Sequence, residues 1–476
     1  MLEENITYFE KQARIYPRSV EGRYRRLKWL AMGLLLGIYY GVPWLRWDRG
    51  ADLPHQAVLI DLPGSRAYFF GIEIWPDEVY FITGILILAA IGLFFVTSLL
   101  GRVWCGYACP QTVWTDLFIW VETKIQGDRN ARMKLDKQGF TFERIWKKTA
   151  THAAWILIAM STGGAWVFYF NDAPTVADHI RHFDLPLSIS GWILGLTGST
   201  YLMAGYAREQ VCKYMCPYAR FQSAMFDMDT LIIGYDLERG EPRGKHKKGD
   251  TWEGRGHCID CTQCVLVCPM GIDIRNGLQM DCIACGLCID ACNDVMDKME
   301  LPRGLIRYDT ERNYEARIAA KKTGEVRKDK LRILRPRSFY YIGVIAVVSS
   351  LMLYALLTRA QVELHALQNR NPLYVKLSDG SIRNNYLVKI LNKTHEARHF
   401  ELELEGLDNA TLAFQSGLPV TAGDLVVPGG EVGQFRLMIS AQPQAEFRIP
   451  LTLKIHETGG KLKAVTETVF ISGEQK

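Results

Sequence analysis

Long stretches of this chain carry no charge. Asp, Glu, Lys and Arg are absent from residues 29–45, 79–101, 149–171, 185–207 and 338–358. The last four exceed 20 residues, enough to cross a hydrocarbon core of about 30 Å at about 1.5 Å per helical residue. Buried helices of a soluble core normally keep a polar face, which these runs lack. The first run is shorter and contains Pro43, with Trp44 and Trp47 at its end as interfacial anchors. No small-residue cleavage site follows it, so a membrane helix is expected there rather than a cleaved leader.

Cysteine is missing from the other end. Residues 359–476 contain none, and all twelve cysteines lie in 102–148 and 208–337. A disulfide scaffold is excluded by this distribution in so long a chain. Basic residues crowd the first 28 positions, the 102–148 loop and the loop after 208, whereas 46–78 is mostly acidic and 172–184 has Arg181 as its only Lys or Arg. By the positive-inside rule the amino terminus, 102–148 and 208–337 are expected in the cytoplasm and everything after 358 outside. Thiols confined to the reducing side fit the same orientation. The net charge of +5 sits in these juxtamembrane stretches and calls for no nucleic-acid partner.

The cysteines themselves are patterned. Cys258, Cys261, Cys264 and Cys268-Pro269 form a C-x2-C-x2-C-x3-C run, repeated as Cys282, Cys285, Cys288 and Cys292. In that spacing three thiolates wrap one [4Fe–4S] cubane and the fourth crosses to the neighbouring one. The expected ligand sets are Cys258, Cys261, Cys264 and Cys292 for one cluster, and Cys282, Cys285, Cys288 and Cys268 for the other. Zinc ribbons separate their pairs by a long loop and do not match. Asn293 stands where the first run has its proline, which leaves the ligand count unchanged.

Four further cysteines follow two of the apolar runs. Cys105-Gly-Tyr107-Ala-Cys109-Pro110 comes after 79–101, and Cys212-Lys-Tyr214-Met-Cys216-Pro217 after 185–207. Each has an arginine just upstream, Arg102 and Arg208, so an internally duplicated two-helix unit is expected. Proline after the second cysteine opens a new helix at its first turn, predicted over 111–121 and 218–228 along the interface. A thiol at a helix start near arginine has a lowered pKa. Four such sulfurs suit Cu(I), an iron–sulfur centre or zinc, or two dithiol–disulfide pairs. Met215, Met225 and Met228 are soft enough for Cu(I), though methionine in an apolar helix usually serves packing. His152 lies just inside its run with no second histidine in an expected span, which argues against haem. Gly33, Gly37 and Gly41, and Gly191 with Gly195, are small-residue faces expected to pack helices closely, within the chain or across a dimer.

Residues 231–239 and 305–312 are similar apolar-then-polar segments, expected as strands bracketing the cysteine module. The 303–337 stretch holds twelve Lys and Arg, a basic membrane tether. Beyond 372, alternating segments at Tyr386, Phe400, Phe435 and Phe447 predict a β-sandwich. Without cysteine or tryptophan it lacks the antibody-type core.

In order and in motif the chain resembles the cytochrome c oxidase accessory proteins of the CcoG/FixG/RdxA type, over nearly its whole length. The two C-x3-C-P motifs, the ferredoxin-type cysteines, the segment from Tyr235 to Arg243 and the carboxy-terminal sandwich carry the likeness. The expected architecture is a multi-domain membrane protein with five transmembrane α-helices, a cytoplasmic bacterial-type 2[4Fe–4S] ferredoxin module and an Ig-like β-sandwich. Its parts are a cytoplasmic segment (1–28), a first membrane hairpin (29–110), a cytoplasmic loop (111–148) and a second hairpin (149–217). A cytoplasmic loop (218–337) with the ferredoxin module at about 250–300, a fifth helix (338–358) and a periplasmic sandwich (359–476) complete it. The resemblance implies two [4Fe–4S] clusters, an inner-membrane location and a role in maturing cbb(3)-type oxidase, with oxidase subunits or copper-delivery proteins as partners. Copper handled at Cys105, Cys109, Cys212 and Cys216, through cupric reductase activity, is the chemistry it suggests. An electron conduit between the quinone pool and a periplasmic reductase, and a scaffold with structural clusters, are the alternatives.

Overall fold

Helices occupy all five charge-free runs in the computed structural model, which describes residues 14–50, 53–246, 252–323, 331–414 and 425–472. Lys11 and residues 324–330 of the basic tether lie outside the described residues. The chain divides into two units, 1–352 and 353–476.

Among the described residues, two helical stretches are long and apolar enough to cross a membrane, Pro76–Leu100 and Pro336–Leu357. The other runs are helical but less uniform. Arg23–Gly41 begins in arginines, Phe142–Val167 begins among charges and carries Ser, Thr and Gly, and Leu187–Thr200 gives way to a π-helix over Tyr201–Ala207. Close helix approach occurs at glycines outside the expected faces. A Cβ at Gly163 would meet Ile193 O at 2.8 Å, bringing Phe142–Val167 against Leu187–Thr200, and one at Gly84 would overlap Met352. At Gly33, Gly37, Gly41, Gly191 and Gly195 nothing lies within 4 Å of that position, so within the described chain those faces pack against nothing.

The acidic 46–78 segment, read from sequence as a loop, holds an antiparallel sheet of β1 (Val58–Asp61), β2 (Arg66–Phe69) and β3 (Ile72–Ile74). Helices Ala173–His182 and Arg129–Lys137 fill other stretches read as loops. The expected interfacial helices run Pro110–Gln126 and Pro217–Met225.

The two bracketing segments pair: β4 (Leu231–Tyr235) and β5 (Ile306–Thr310) are antiparallel, with Ile233 opposite Tyr308. The cysteine module lies between them with helices Gln263–Leu266 and Leu287–Lys298. Asp290 from the latter caps the first helix from outside, accepting from the Tyr24 and Arg25 amides at 3.2 and 2.8 Å. A carboxylate at a helix amino terminus satisfies unpaired N–H groups and complements the dipole, so the start of the first helix is held on the module. Glu122, almost fully buried, joins Arg14, Arg132 and Arg208 at 3.0, 3.2 and 3.1 Å.

The second unit is a sandwich. Its strands are β6 (Val362–Gln368), β7 (Val375–Lys376), β8 (Ile382–Asn392), β9 (Arg398–Glu405) and β10 (Thr411–Phe414). After them come β11 (Leu425–Val427), β12 (Val432–Ala441), β13 (Arg448–Glu457) and β14 (Lys463–Ile471). One sheet has the order β10-β12-β8-β6 with β7 beside β8, the other β11-β9-β13-β14. Alternation sends Tyr386, Val388, Phe400, Leu437 and Leu453 inward. Buried Asn384 bonds across the sheets to Ile471 O at 2.9 Å, and the Tyr386 hydroxyl to Val469 O at 2.8 Å.

Candidate redox centre

Both C-x2-C-x2-C turns curl in the same way. Asp260 and Thr262 take φ of 53° and 56°, and their repeat partners Ala284 and Gly286 take 52° and 76°. Left-handed backbone at three non-glycine positions costs on the order of 1–3 kcal/mol each and persists where surroundings or function enforce it. Curled this way, Cys258, Cys261, Cys264 and Cys292 line one cavity, walled by Val295, Leu305 and Ile306. Cys268, Cys282, Cys285 and Cys288 line the next, walled by Ile233, Ile272 and Ile274, with Cys264 in the shared wall.

Burial pushes the Cys264, Cys282 and Cys292 thiols up to about 12 and Cys268 up to about 11. Cys288, with Cys285, Cys282, Cys268 and Cys264 nearby, is likewise raised well above the usual thiol range by burial. Unliganded, these thiols hold their protons, and a bound cation must displace them to gain thiolate ligands. Two apolar cavities each offering four thiols fit an iron–sulfur cubane by donor set and by surroundings. Among the described residues no three His, Cys, Asp or Glu side chains converge on a single metal ion. A cluster needs no such convergence, because its ligands bind different irons.

The C-x3-C-P motifs are built on one plan. Cys109 and Cys216 are extended residues preceding helices that start at Pro110 and Pro217. Four residues before the first cysteine of each, the chain kinks: Gly101 has φ 59° and ψ −129°, Arg208 φ 39° and ψ −112°. Gly101 and Arg208 are therefore structural equivalents, and Arg102, one position on, corresponds to Glu209. Glycine takes that conformation freely. Arg208 is held in it by Glu122 and by the Gly205 carbonyl at 2.8 Å.

Cys105 and Cys212 pack on one apolar cluster, and Cys109, Cys105 and Cys216 each act electrostatically to raise the Cys212 thiol. The expected acidification is absent at Cys105 and Cys212. Burial pushes Cys212 up to about 12 and also raises Cys105, outweighing nearby Arg102. The Arg102 guanidinium is instead engaged by the Met280 and Ala219 carbonyls. Gln222, fully buried, donates to the Cys105 sulfur at 3.2 Å.

The first motif is seated on the second cysteine cavity. Gly106 lies so close that a Cβ would stand 2.7 Å from Ile283 O and 3.0 Å from Cys285 Cα. The Tyr107 hydroxyl donates to Cys285 O at 2.9 Å, and Tyr308 donates to Ala284 O. Lys213 of the second motif reaches Asp281 at 3.5 Å. Cys105 and Cys212 pack on the apolar cluster of Ile283, Cys285 and Leu287. Sequence reasoning identified the twelve cysteines but not this junction. The glycine and tyrosine inside C-G-Y-A-C were its only signal.

Comparison with known proteins agrees with this layout. A 4Fe-4S dicluster domain family matches residues 207–311, a 4Fe-4S binding domain family residues 82–127, and the IG-like fold at the C-terminal of FixG residues 352–473. The nitrogen fixation protein FixG of Rhizobium meliloti is 49% identical over 88% of this chain and 86% of its own. Protein RdxA of Cereibacter sphaeroides is 46% identical over 94% of both chains. The chain belongs to the FixG/RdxA family. As a FixG-type protein it is an iron–sulfur redox protein, with ferredoxin-type cysteines in one unit and an Ig-like fold in the other. The chain is also similar, at 25% identity over 58% of its length and 87% of the relative, to the ferredoxin-type protein NapH of Haemophilus influenzae.

Proposed function

We propose that this FixG-type protein passes electrons from two [4Fe–4S] clusters to Cu(II) held at the four C-x3-C-P thiols, which keep the resulting Cu(I) for assembly of a cbb(3)-type oxidase. The ligand sets are Cys258, Cys261, Cys264 and Cys292, and Cys268, Cys282, Cys285 and Cys288. When bound, the clusters supply electrons one at a time. The observation that carries the reading is the seating of Gly106 and Tyr107 on the 283–285 turn, which leaves no solvent layer between the second ferredoxin cavity and the Cys105 turn. Cu(II) is the substrate: one electron converts it to Cu(I), which soft thiolates prefer. Closing the four sulfurs around one ion requires the C-x3-C turns to shift, and the Gln222 amide steadies the Cys105 sulfur. In this reading the protein crosses the inner membrane five times, with the amino terminus and ferredoxin module cytoplasmic and the sandwich periplasmic. Oxidase subunits or copper-delivery proteins are its partners.

Replacing Cys105, Cys109, Cys212 and Cys216 together by serine tests the reading on anaerobic protein. Copper(I) binding and Cu(II) reduction should be abolished while both cluster spectra persist. Unchanged copper binding would make the four thiols structural. In the alternative reading, electrons continue to an outside reductase. It is distinguished by Cu(II) reduction that is insensitive to the four substitutions.

A further inference from the structure

A cavity of about 400 Å³ lies among the helices Pro110–Gln126 and Phe142–Val167 and the π-helix Tyr201–Ala207. It has no part in the chemistry above. His152, Trp155, Tyr206 and Glu209 line it. The His152 and Tyr206 rings are nearly parallel, 6.1 Å apart, and His152 Nδ1 shares a hydrogen bond of 3.0 Å with the Tyr201 hydroxyl. Trp155 stands edge-on to His152 at 5.2 Å. The other ring nitrogen, Nε2, and the half-buried Glu209 carboxylate have no partner among the described residues. Cations at the cavity are occupied: Arg14 and Arg208 by Glu122, Lys148 by Asp136, Arg144 by the Gln138 carbonyl. π-Helical turns are rare and concentrate at functional sites.

The cavity adjoins the redox thiols. Arg208 and Glu209 also line a smaller void that reaches Cys212, Met270 and Ile283, and the last two wall the second cysteine cavity. Groups able to exchange protons thus lie at one end of the five-residue 208–212 segment, and the thiol of Cys212 at the other.

The geometry points to a quinone-headgroup site, through which a lipid-soluble quinone exchanges electrons with the iron–sulfur centres. The inference rests on the iron–sulfur reading and supplies the electron partner that it lacks. Reduction of the quinone adds two electrons, delivered singly from reduced clusters through the 208–212 segment, and two protons, turning both C=O groups into C–OH. Oxidation of the hydroquinone returns two electrons to oxidised clusters and two protons to solvent. His152 Nε2 and Glu209 meet the two ring oxygens, and the aromatic rings cover the headgroup. The volume is in the range of small-ligand pockets, about 300–1,000 Å³. A phospholipid phosphate finds no uncommitted cation here.

The test uses full-length protein in detergent, anaerobically, with decylubiquinone as probe. Saturable binding of one quinone per chain is expected, equal in apo and cluster-loaded protein. The double variant His152→Gln, Glu209→Gln should bind it about tenfold or more weakly, the scale of losing hydrogen bonds to polar groups worth about 1.5 kcal/mol or more. Decylubiquinone should reoxidise dithionite-reduced protein, about tenfold more slowly in the variant, while ferricyanide reoxidises both equally. Binding that is non-saturable, unchanged in the variant or displaced by phospholipid overturns the site. Binding without reoxidation overturns the electron exchange. If dithionite and ferricyanide change no spectrum, the cluster reading fails and the binding arm still decides the site.

Discussion

Gly106→Ala puts the junction between the two thiol regions under direct strain. The added Cβ would stand 2.7 Å from Ile283 O, 3.0 Å from Ala284 O and 3.0 Å from Cys285 Cα. All three are backbone atoms of the turn between Cys282 and Cys285, so no side chain can swing away. Relief to ordinary contact needs a shift of roughly 0.5 Å or more, and overpacking of this kind costs about 1–3 kcal/mol. The displaced atoms belong to the turn that wraps the second cysteine cavity and accepts the Tyr107 hydroxyl. Thermal unfolding should therefore move to lower temperature, and the EPR signal of the second cluster should broaden or shift while that of the first is kept. Gly191→Ala is the control, because nothing lies within 4 Å of its Cβ position and alanine favours a helix by about 1 kcal/mol over glycine. Unchanged melting and two unchanged cluster signals in Gly106→Ala would refute a junction packed this tightly.

Glu122→Gln keeps the shape of the side chain but removes the carboxylate that Arg14, Arg132 and Arg208 share. Breaking a buried pair from one side costs about 3–5 kcal/mol, so chemical denaturation should show a loss of that size, and a loss below about 1 kcal/mol would contradict the network. For the five-crossing topology, alkaline phosphatase fused after residue 365 should be active and after residue 300 inactive; the reverse pattern would invert the protein.

Much of the site was legible because cysteine spacing encodes chemistry directly. The repeat that maps Cys258 onto Cys282 also maps the left-handed Asp260 and Thr262 onto Ala284 and Gly286. The strand pair β4–β5 was visible as similar wording at Leu231 and Leu305, and the inward alternation of β8 and β9 announced the sandwich. Other features had no local signal. The sheet β1–β3 is short and set among acidic residues, so its alternation is masked. Glycine spacing suggested packing faces at Gly33 and Gly191, but close approach falls at Gly84 and Gly163, which tertiary packing chose. The equivalence of Gly101 and Arg208 was hidden because arginine occupies a left-handed position where glycine is the usual marker. Thiol acidity was misjudged at Cys105 and Cys212 because spacing does not report burial, and burial outweighs a nearby cation.

Iron and acid-labile sulfide analysis with EPR on anaerobically purified, fully occupied protein tests the central claim most directly. Eight cysteines in two cavities predict about eight iron and eight sulfide per chain, in two signals, with Cys261→Ser disrupting the first before the second and Cys285→Ser the reverse. Four iron per chain at full occupancy, or a single signal lost equally in both variants, would contradict two separate redox centres.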